Sequence, residues 1–265
     1  EEVDYVTEPL PGHGICTFPQ HRIDQSFTVV REHRIFQGND VLAAGSKERR
    51  QVFHYRGPRA DVHGRGFLGF GVVEQWDPDR LAETITTYDN ATLDQGVYPF
   101  AFVPASIQRA VVIDGSGTRA RLSKTELHND IEHLNGGKTY FVHPSTFRSL
   151  EWEEDVSIDL NDGAELHLGA IDGADEHSAI RVRHGSSTYD DYGNLLSETR
   201  STLHGVESTT VSTYEKRVDD WLVGLLSTQT TTSAVGGPFP PPLPRHVAYE
   251  YEERGLLCHV FLEKD

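Results

Sequence analysis

Thr188-Tyr189-Asp190-Asp191-Tyr192-Gly193-Asn194-Leu195-Leu196-Ser197 reads as strand, tight turn, strand. A β-branched and an aromatic residue lead in. Asp191, Gly193 and Asn194 tolerate the left-handed backbone that a hairpin turn demands, and Leu195 and Leu196 open the return strand. A chain decided by such a unit is built from paired strands, and the remaining sequence carries the same alternation.

Strands are predicted at 27–36, 50–56, 70–76, 81–88, 107–113, 119–127, 147–153, 164–171, 178–184, 195–203, 207–217, 221–232 and 245–262, several of them bounded by Gly, Pro, Asn or Asp. Leu81 to Tyr88 reads as a strand that alternates polar and apolar. Helical signal is sparse. Thr125 to Leu134, closed by Gly136-Gly137, is the best helix candidate, and the same residues also fit a strand. The fold class is therefore all-β, with many short antiparallel strands in an extended twisted sheet. The expected organisation is an irregular lead-in over 1–26 and a β-rich region over 27–187. A repeat-like β region over 188–265 follows, with a Pro-rich loop at 235–244. That loop reads as a stiff polyproline II connector rather than a ligand for a proline-recognition module.

A 265-residue chain that is 37% hydrophobic and 25% charged has a globular composition and can bury a sizeable core. It carries 24 Lys and Arg against 41 Asp and Glu, a formal charge of −17. Such a surface repels phosphate backbones and anionic membranes, so no nucleic-acid partner is expected. No apolar run nears the ~20 residues of a spanning helix, so no membrane insertion is expected either. Met is absent and Glu1 comes first, which predicts an excised, processed or partial piece of a longer protein. Cys16 and Cys258 are expected to be unpaired and buried.

No motif here specifies a reaction. Gly64-Arg65-Gly66-Phe67-Leu68-Gly69 has dinucleotide spacing, but a strand pattern follows it where a helix is required. The glycines are expected to let a turned strand pack closely, with Phe67, Leu68 and Phe70 supplying core. His128 and His133 are five apart, not the four of a zinc-binding helix face, and read as a solvated polar face. Asp155, Asp159, Asn161 and Asp162 lack the spacing of a calcium loop. Gly115-Ser116-Gly117 and Gly185-Ser186-Ser187 read as turns rather than nucleophile elbows. Cys258 and His259, adjacent on a strand, face opposite ways. No catalytic, cofactor or metal residue is assigned.

The hairpin belongs to a weak internal repeat. Tyr189 to Leu195, Thr213-Tyr214-Glu215 and Tyr249 to Leu257 each join an aromatic to an acid and a following strand. Tyr189-Asp190-Asp191-Tyr192-Gly193-Asn194 resembles the YD repeat of the Rhs family. Gly64 to Glu74 preceded by His54-Tyr55 is similar to the segment ahead of the repeats in large Rhs-type proteins, which include the B component of insecticidal toxin complexes. Thr209 to Tyr214, followed by Asp219 to Leu226, resembles the strand and Trp-Leu-Gly segment that come next there. The resemblance covers about residues 20–262 and is strongest at 52–76 and 188–226. It implies a segment of an Rhs-type β-shell that encapsulates a C-terminal effector, in a secreted or cell-surface bacterial toxin. Its implied partners are other segments of the same shell, the enclosed effector and a toxin translocation component. The self-cleavage acids of the family have no match here, so no enzyme activity is implied for this segment. Two other readings stand beside it. A carbohydrate- or receptor-binding β-module would present Trp76, Trp152 and Tyr192 on one exposed face. A β-fold hydrolase would show a carboxylate pair in a cleft.

Overall fold

β-Branched and aromatic residues alternating with polar ones favour a pleated, half-buried surface, and strands fill most of the described chain. A computed structural model describes residues 2–8, 18–22, 27–37, 47–113, 119–134, 139–155, 179–203, 205–235 and 244–264. The strands are β1 (Glu2–Glu8), β2 (Gln20–Arg22), β3 (Phe27–Gln37), β4 (Lys47–Arg56), β5 (Arg59–Asp61), β6 (Gly66–Phe67), β7 (Val72–Asp77), β8 (Ala82–Tyr88) and β9 (Pro104–Val112). They continue with β10 (Arg119–Leu134), β11 (Thr139–Asp155), β12 (Arg181–Tyr189), β13 (Leu195–Thr202), β14 (Val206–Arg217), β15 (Leu222–Val235), β16 (Arg245–Tyr251) and β17 (Leu257–Lys264). One sheet joins 14 of them in the order β1-β3-β4-β7-β8-β9-β10-β11-β12-β13-β14-β15-β16-β17, and β2-β5-β6 form a small second sheet. The chain is all-β: the one helical element among the described residues is a single 3-10 turn at Val218–Asp220.

Two compact units divide the chain. Unit 1 is Glu1–Glu126 with Leu150–Ile180, and unit 2 is Leu127–Ser149 with Arg181–Asp265. β10 and β11 contribute residues to both.

The core of unit 1 is a row of cross-strand partners. Val52 pairs Trp76, Trp76 pairs Glu83, Glu83 pairs Ala110, and Ala110 pairs Leu122, and all five are buried. Partners directly across a ladder share a face, so this register places the whole row inward, and a one-residue slip would turn it outward. The cavity left by truncating Leu122 to Ala would cost about 2–5 kcal/mol.

Of the glycines in the stretch 64–69, Gly69 packs against a neighbour, while Gly64 and Gly66 face open space. No helix follows the stretch: Gly66 and Phe67 form β6 beside β5, and β7 comes next. Gly69 has φ +85°, and a β-carbon there would lie 2.8 Å from the Phe102 ring. Buried Asn90 donates to the carbonyls of Gly57 and Gly69, both at 3.1 Å, and ties this turn to the chain after β8. Phe67 and Phe70 meet edge to face at 5.2 Å, and Phe70 lies 4.7 Å from Tyr55.

Unit 2 is a run of hairpins. β12–β13, β14–β15 and β16–β17 pair antiparallel, and β13–β14 and β15–β16 join them. Threonine hydroxyls bond across the ladders, Thr199 to Thr209 at 3.2 Å, Thr210 to Thr231 at 3.2 Å and Thr213 to Thr228 at 2.6 Å.

Several expectations change. The helix candidate 125–134 is strand: β10 lies between β9, which pairs Ala120 to Glu126, and β11, and sheet pairing overrides a weak helical preference. Gly136-Gly137 lies outside the described residues. Gly185-Ser186-Ser187 is not a turn: it runs inside β12, where a β-carbon on Gly185 would overlap the Phe147 ring. The lead-in is not wholly irregular, since Glu2–Glu8 pairs with β3 and Gln20–Arg22 with β5. The stretch 245–262 is two strands with a turn between them. Cys258 is free but exposed, not buried. Cys16, the 159–163 acids, Gly115-Ser116-Gly117, the strand expected at 164–171 and residues 236–243 of the Pro-rich loop lie outside the described residues.

Candidate functional site

The best-organised polar constellation in unit 2 is the turn that decides the fold. Tyr189 pairs with Leu195 after a register shift between Thr188 and Tyr189. The backbone closes when Asp190 N–H donates to Asn194 C=O at 3.0 Å and Gly193 N–H donates to Asp190 C=O at 2.9 Å. Gly193 adopts φ +83°, with the Phe141 ring 3.1 Å from where a β-carbon would sit. Of the three residues expected to take left-handed backbone, Gly193 alone does so.

Asp190 holds the turn together, a role its sequence position did not announce. Its Oδ1 accepts the N–H groups of Tyr192 and Asn194, both at 2.9 Å. Its Oδ2 accepts Asn194 Nδ2 at 3.0 Å and pairs with Lys216 Nζ at 2.8 Å. Asn194 Nδ2 also donates to the Val223 carbonyl at 2.8 Å, so the turn is sewn to β14 and β15. Lys216 Nζ lies 4.8 Å over the Tyr192 ring, a cation–π contact. Burial pushes the Asp190 carboxyl up. The Lys216 ammonium, the Asn194 side chain and the two backbone N–H groups outweigh that and hold it at about 2. The pairing with Asp190 in turn raises Lys216. A carboxylate so satisfied is a structural anchor: it stays ionised, its lone pairs are occupied, and it has no call for a proton.

The second turn of the repeat has the same backbone and a different lock. Glu252 N–H donates to Leu256 C=O at 3.0 Å, Gly255 N–H donates to Glu252 C=O at 2.9 Å, and Gly255 has φ +80°. The matching segments are therefore Tyr189-Asp190-Asp191-Tyr192-Gly193-Asn194-Leu195 and Tyr251-Glu252-Glu253-Arg254-Gly255-Leu256-Leu257. Here Arg217 supplies the lock. Its guanidinium donates to the carbonyls of Glu252 at 2.6 Å, Glu253 at 3.0 Å and Tyr251 at 3.4 Å, and it pairs with Glu215 at 2.7 Å.

Thr213-Tyr214-Glu215 shares the register shift before its tyrosine but turns through Val218–Asp220 and Trp221 at φ +58°. A fourth member went unread in the sequence. Thr87-Tyr88-Asp89 in unit 1 repeats the tripeptide Thr188-Tyr189-Asp190, with a register shift before Tyr88. Asp89 likewise accepts backbone N–H groups, from Ala91 at 3.1 Å and Thr92 at 2.9 Å. The signal available was that identical tripeptide.

The other candidates do not assemble into sites. His128 is exposed and 3.4 Å from Asp130, and His133 stands elsewhere along β10. Among the described residues no three His, Cys, Asp or Glu side chains gather as metal ligands. Trp76 and Trp152 are 5% and 6% exposed, so the exposed aromatic face expected of a binding module is not formed by them. Tyr192 is exposed, as is Trp221 at 83%. Among the described residues no helix is long and apolar enough to cross a membrane.

No family model matches the chain, and no curated protein matches it. Solved structures do. TcdB2-TccC3-Cdc42 is similar at a TM-score of 0.45 and 10% identity over 87% of this chain and 15% of that one. TcdB2-TccC3-TEV gives 0.45 and 9% over 86% and 15%, and TcdB2-TccC3 gives 0.41 and 10% over 78% and 14%. The chain thus spans about a seventh of the length of these chains, and no residue's role is taken from them.

Proposed function

We propose that this chain is a wall segment of a YD-repeat toxin shell, a secreted or cell-surface bacterial protein. It acts structurally rather than as an enzyme and helps to enclose a C-terminal effector. The observation that carries the reading is the pair of like turns at 189–195 and 251–257, locked from one strand by Lys216 and Arg217. A repeat whose turns are tied by neighbouring strands builds a sheet of indefinite length, which is what a wall requires. The outermost strand agrees. β17 has no described neighbour on one side, and Val260, Phe261 and Leu262 are all exposed although they alternate between faces. Such an apolar edge calls for a partner strand. The partners on this reading are other segments of the shell, the effector and a translocation component.

A second reading, a carbohydrate- or receptor-binding β-module, draws on the exposed Tyr192, Trp221 and Leu256, which sit in the β12–β13, β14–β15 and β16–β17 turns. The two separate on self-sufficiency. Residues 1–265 expressed alone would be followed by circular dichroism on heating and by size exclusion. Aggregation, or cooperative unfolding only with flanking sequence restored, is expected of the wall. A sharp transition from a monomer would overturn the wall and favour the module.

A further inference from the structure

The chain carries 41 acidic residues against 24 basic ones, yet one recess in unit 1 reverses that balance. Its walls are Arg49, Arg80 and Arg109 with Gln75, Thr84 and Ala82, and Asp77 is its one carboxylate. The volume is about 180 Å³. Strand register builds it. Gln75 pairs Thr84 and Thr84 pairs Arg109, so the three share one face across β7, β8 and β9. Arg49 reaches in from β4 and Arg80 from the turn after β7.

Asp77 organises the arginines without neutralising them. Its Oδ2 accepts Arg49 Nη2 at 3.0 Å and lies 3.9 Å from Arg80 Nε, and its Oδ1 accepts the Arg80 N–H at 3.1 Å. Asp79, nearby in sequence, is turned to the Arg50 N–H at 3.1 Å. Arg109 has no ion pair among the described residues. Arg49 spends one donor, Nη2, on Asp77, so its guanidinium keeps further N–H donors beyond that pair. Guanidinium groups present paired N–H donors that match the oxygens of phosphate, and the Thr84 hydroxyl and Gln75 amide offer further donors.

We infer that the recess between Arg49, Arg80 and Arg109 binds a tetrahedral oxyanion, namely a phosphate group, held by the guanidinium forks with Thr84 and Gln75. The site is independent of the wall reading and requires only that unit 1 be folded.

The test uses the chain at fixed ionic strength in sodium chloride, with flanking sequence restored where residues 1–265 alone do not unfold cooperatively. Sodium phosphate is titrated while thermal unfolding and the ¹H–¹⁵N signals of the arginine Nε groups are followed. A saturable rise in unfolding temperature is expected, with a shift of the Arg49 Nε signal. Arg109→Ala, at an exposed strand position, should weaken the response about tenfold. Arg200→Ala, in unit 2, should leave it unchanged. A parallel titration with phenyl phosphate names the source: tighter binding than inorganic phosphate assigns a monoester on a larger molecule, weaker binding assigns the free ion, and both support the site. An equal rise with added chloride, or an undiminished response in Arg109→Ala, would overturn it. Thr84→Val, which keeps shape and removes the hydroxyl, gives a second check and should also weaken binding.

Discussion

Lys216 and Arg217 are consecutive residues of β14 that lock turns on opposite sides of it. Lys216 Nζ meets Asp190 Oδ2 at 2.8 Å in the turn before β13, while Arg217 donates at 2.6 Å to the Glu252 carbonyl in the turn before β17. The β14–β15 register shifts between Glu215 and Arg217 and leaves Lys216 without a cross-strand partner, and at this irregularity the two cations serve two turns. One strand end thus couples three hairpins.

Replacing Asp190 with Asn keeps an acceptor for the Tyr192 and Asn194 N–H groups but loses the charge that Lys216 faces. The expected loss is on the order of 1–2 kcal/mol, below what the full shift in acidity would carry because Lys216 is partly exposed. Asp190→Ala, which also orphans the two N–H groups, should lose more. Urea unfolding of the three proteins checks the order, and an Asn variant as stable as the parent would remove the anchor role.

The same carboxylate sets an acid limb. Its folded acidity of about 2 lies below the ordinary 3.8, so its contribution is fully present above pH ~4 and fades as pH falls through ~2. The stability of the parent should therefore drop more steeply between those limits than that of Asp190→Asn. Parallel slopes would mean that Lys216 does not hold the carboxylate.

Gly193→Ala and Gly185→Ala should both destabilise, for different reasons. Gly193 has φ +83° with the Phe141 ring close by, and Ala there is expected to cost about 1–2 kcal/mol. Gly185 is in ordinary strand conformation, and its cost comes from displacing Phe147. Trimming Phe147 to Leu should rescue Gly185→Ala and not Gly193→Ala. Rescue of both, or of neither, would contradict this division.

Trp221 gives the opposite expectation. It holds φ +58° while 83% exposed, so strain is carried with little burial in return. Trp221→Gly should leave stability within about 0.5 kcal/mol of the parent or raise it. A large loss by thermal unfolding would show that the indole has a partner surface.

The strands and their turns were legible because their causes are local. Period-two alternation in Leu81 to Tyr88 and the Asp, Gly and Asn cluster after Tyr189 act within a few residues, and β8 and the β12–β13 hairpin stand where those patterns put them. Even the repeat could be seen, although its alignment as Tyr251-Glu252 with Tyr189-Asp190 needed the turn hydrogen bonds. The locks were not legible. Asn194 meets Val223 across 29 residues and Arg217 meets Tyr251 across 34, and nothing near Asp190 marks it as an anchor. Burial was equally hidden. Trp76 is covered and Trp221 is bare, though both are tryptophans beside Asp-containing turns. Thr125 to Leu134 carried a helix pattern that a place in the sheet between β9 and β11 overrode. The sequence by itself determined that the backbone would pair and where it would reverse. Which side chains close the turns, and which arginines gather around Asp77, was decided by strand order and register, because these contacts join residues that only the folded sheet brings together.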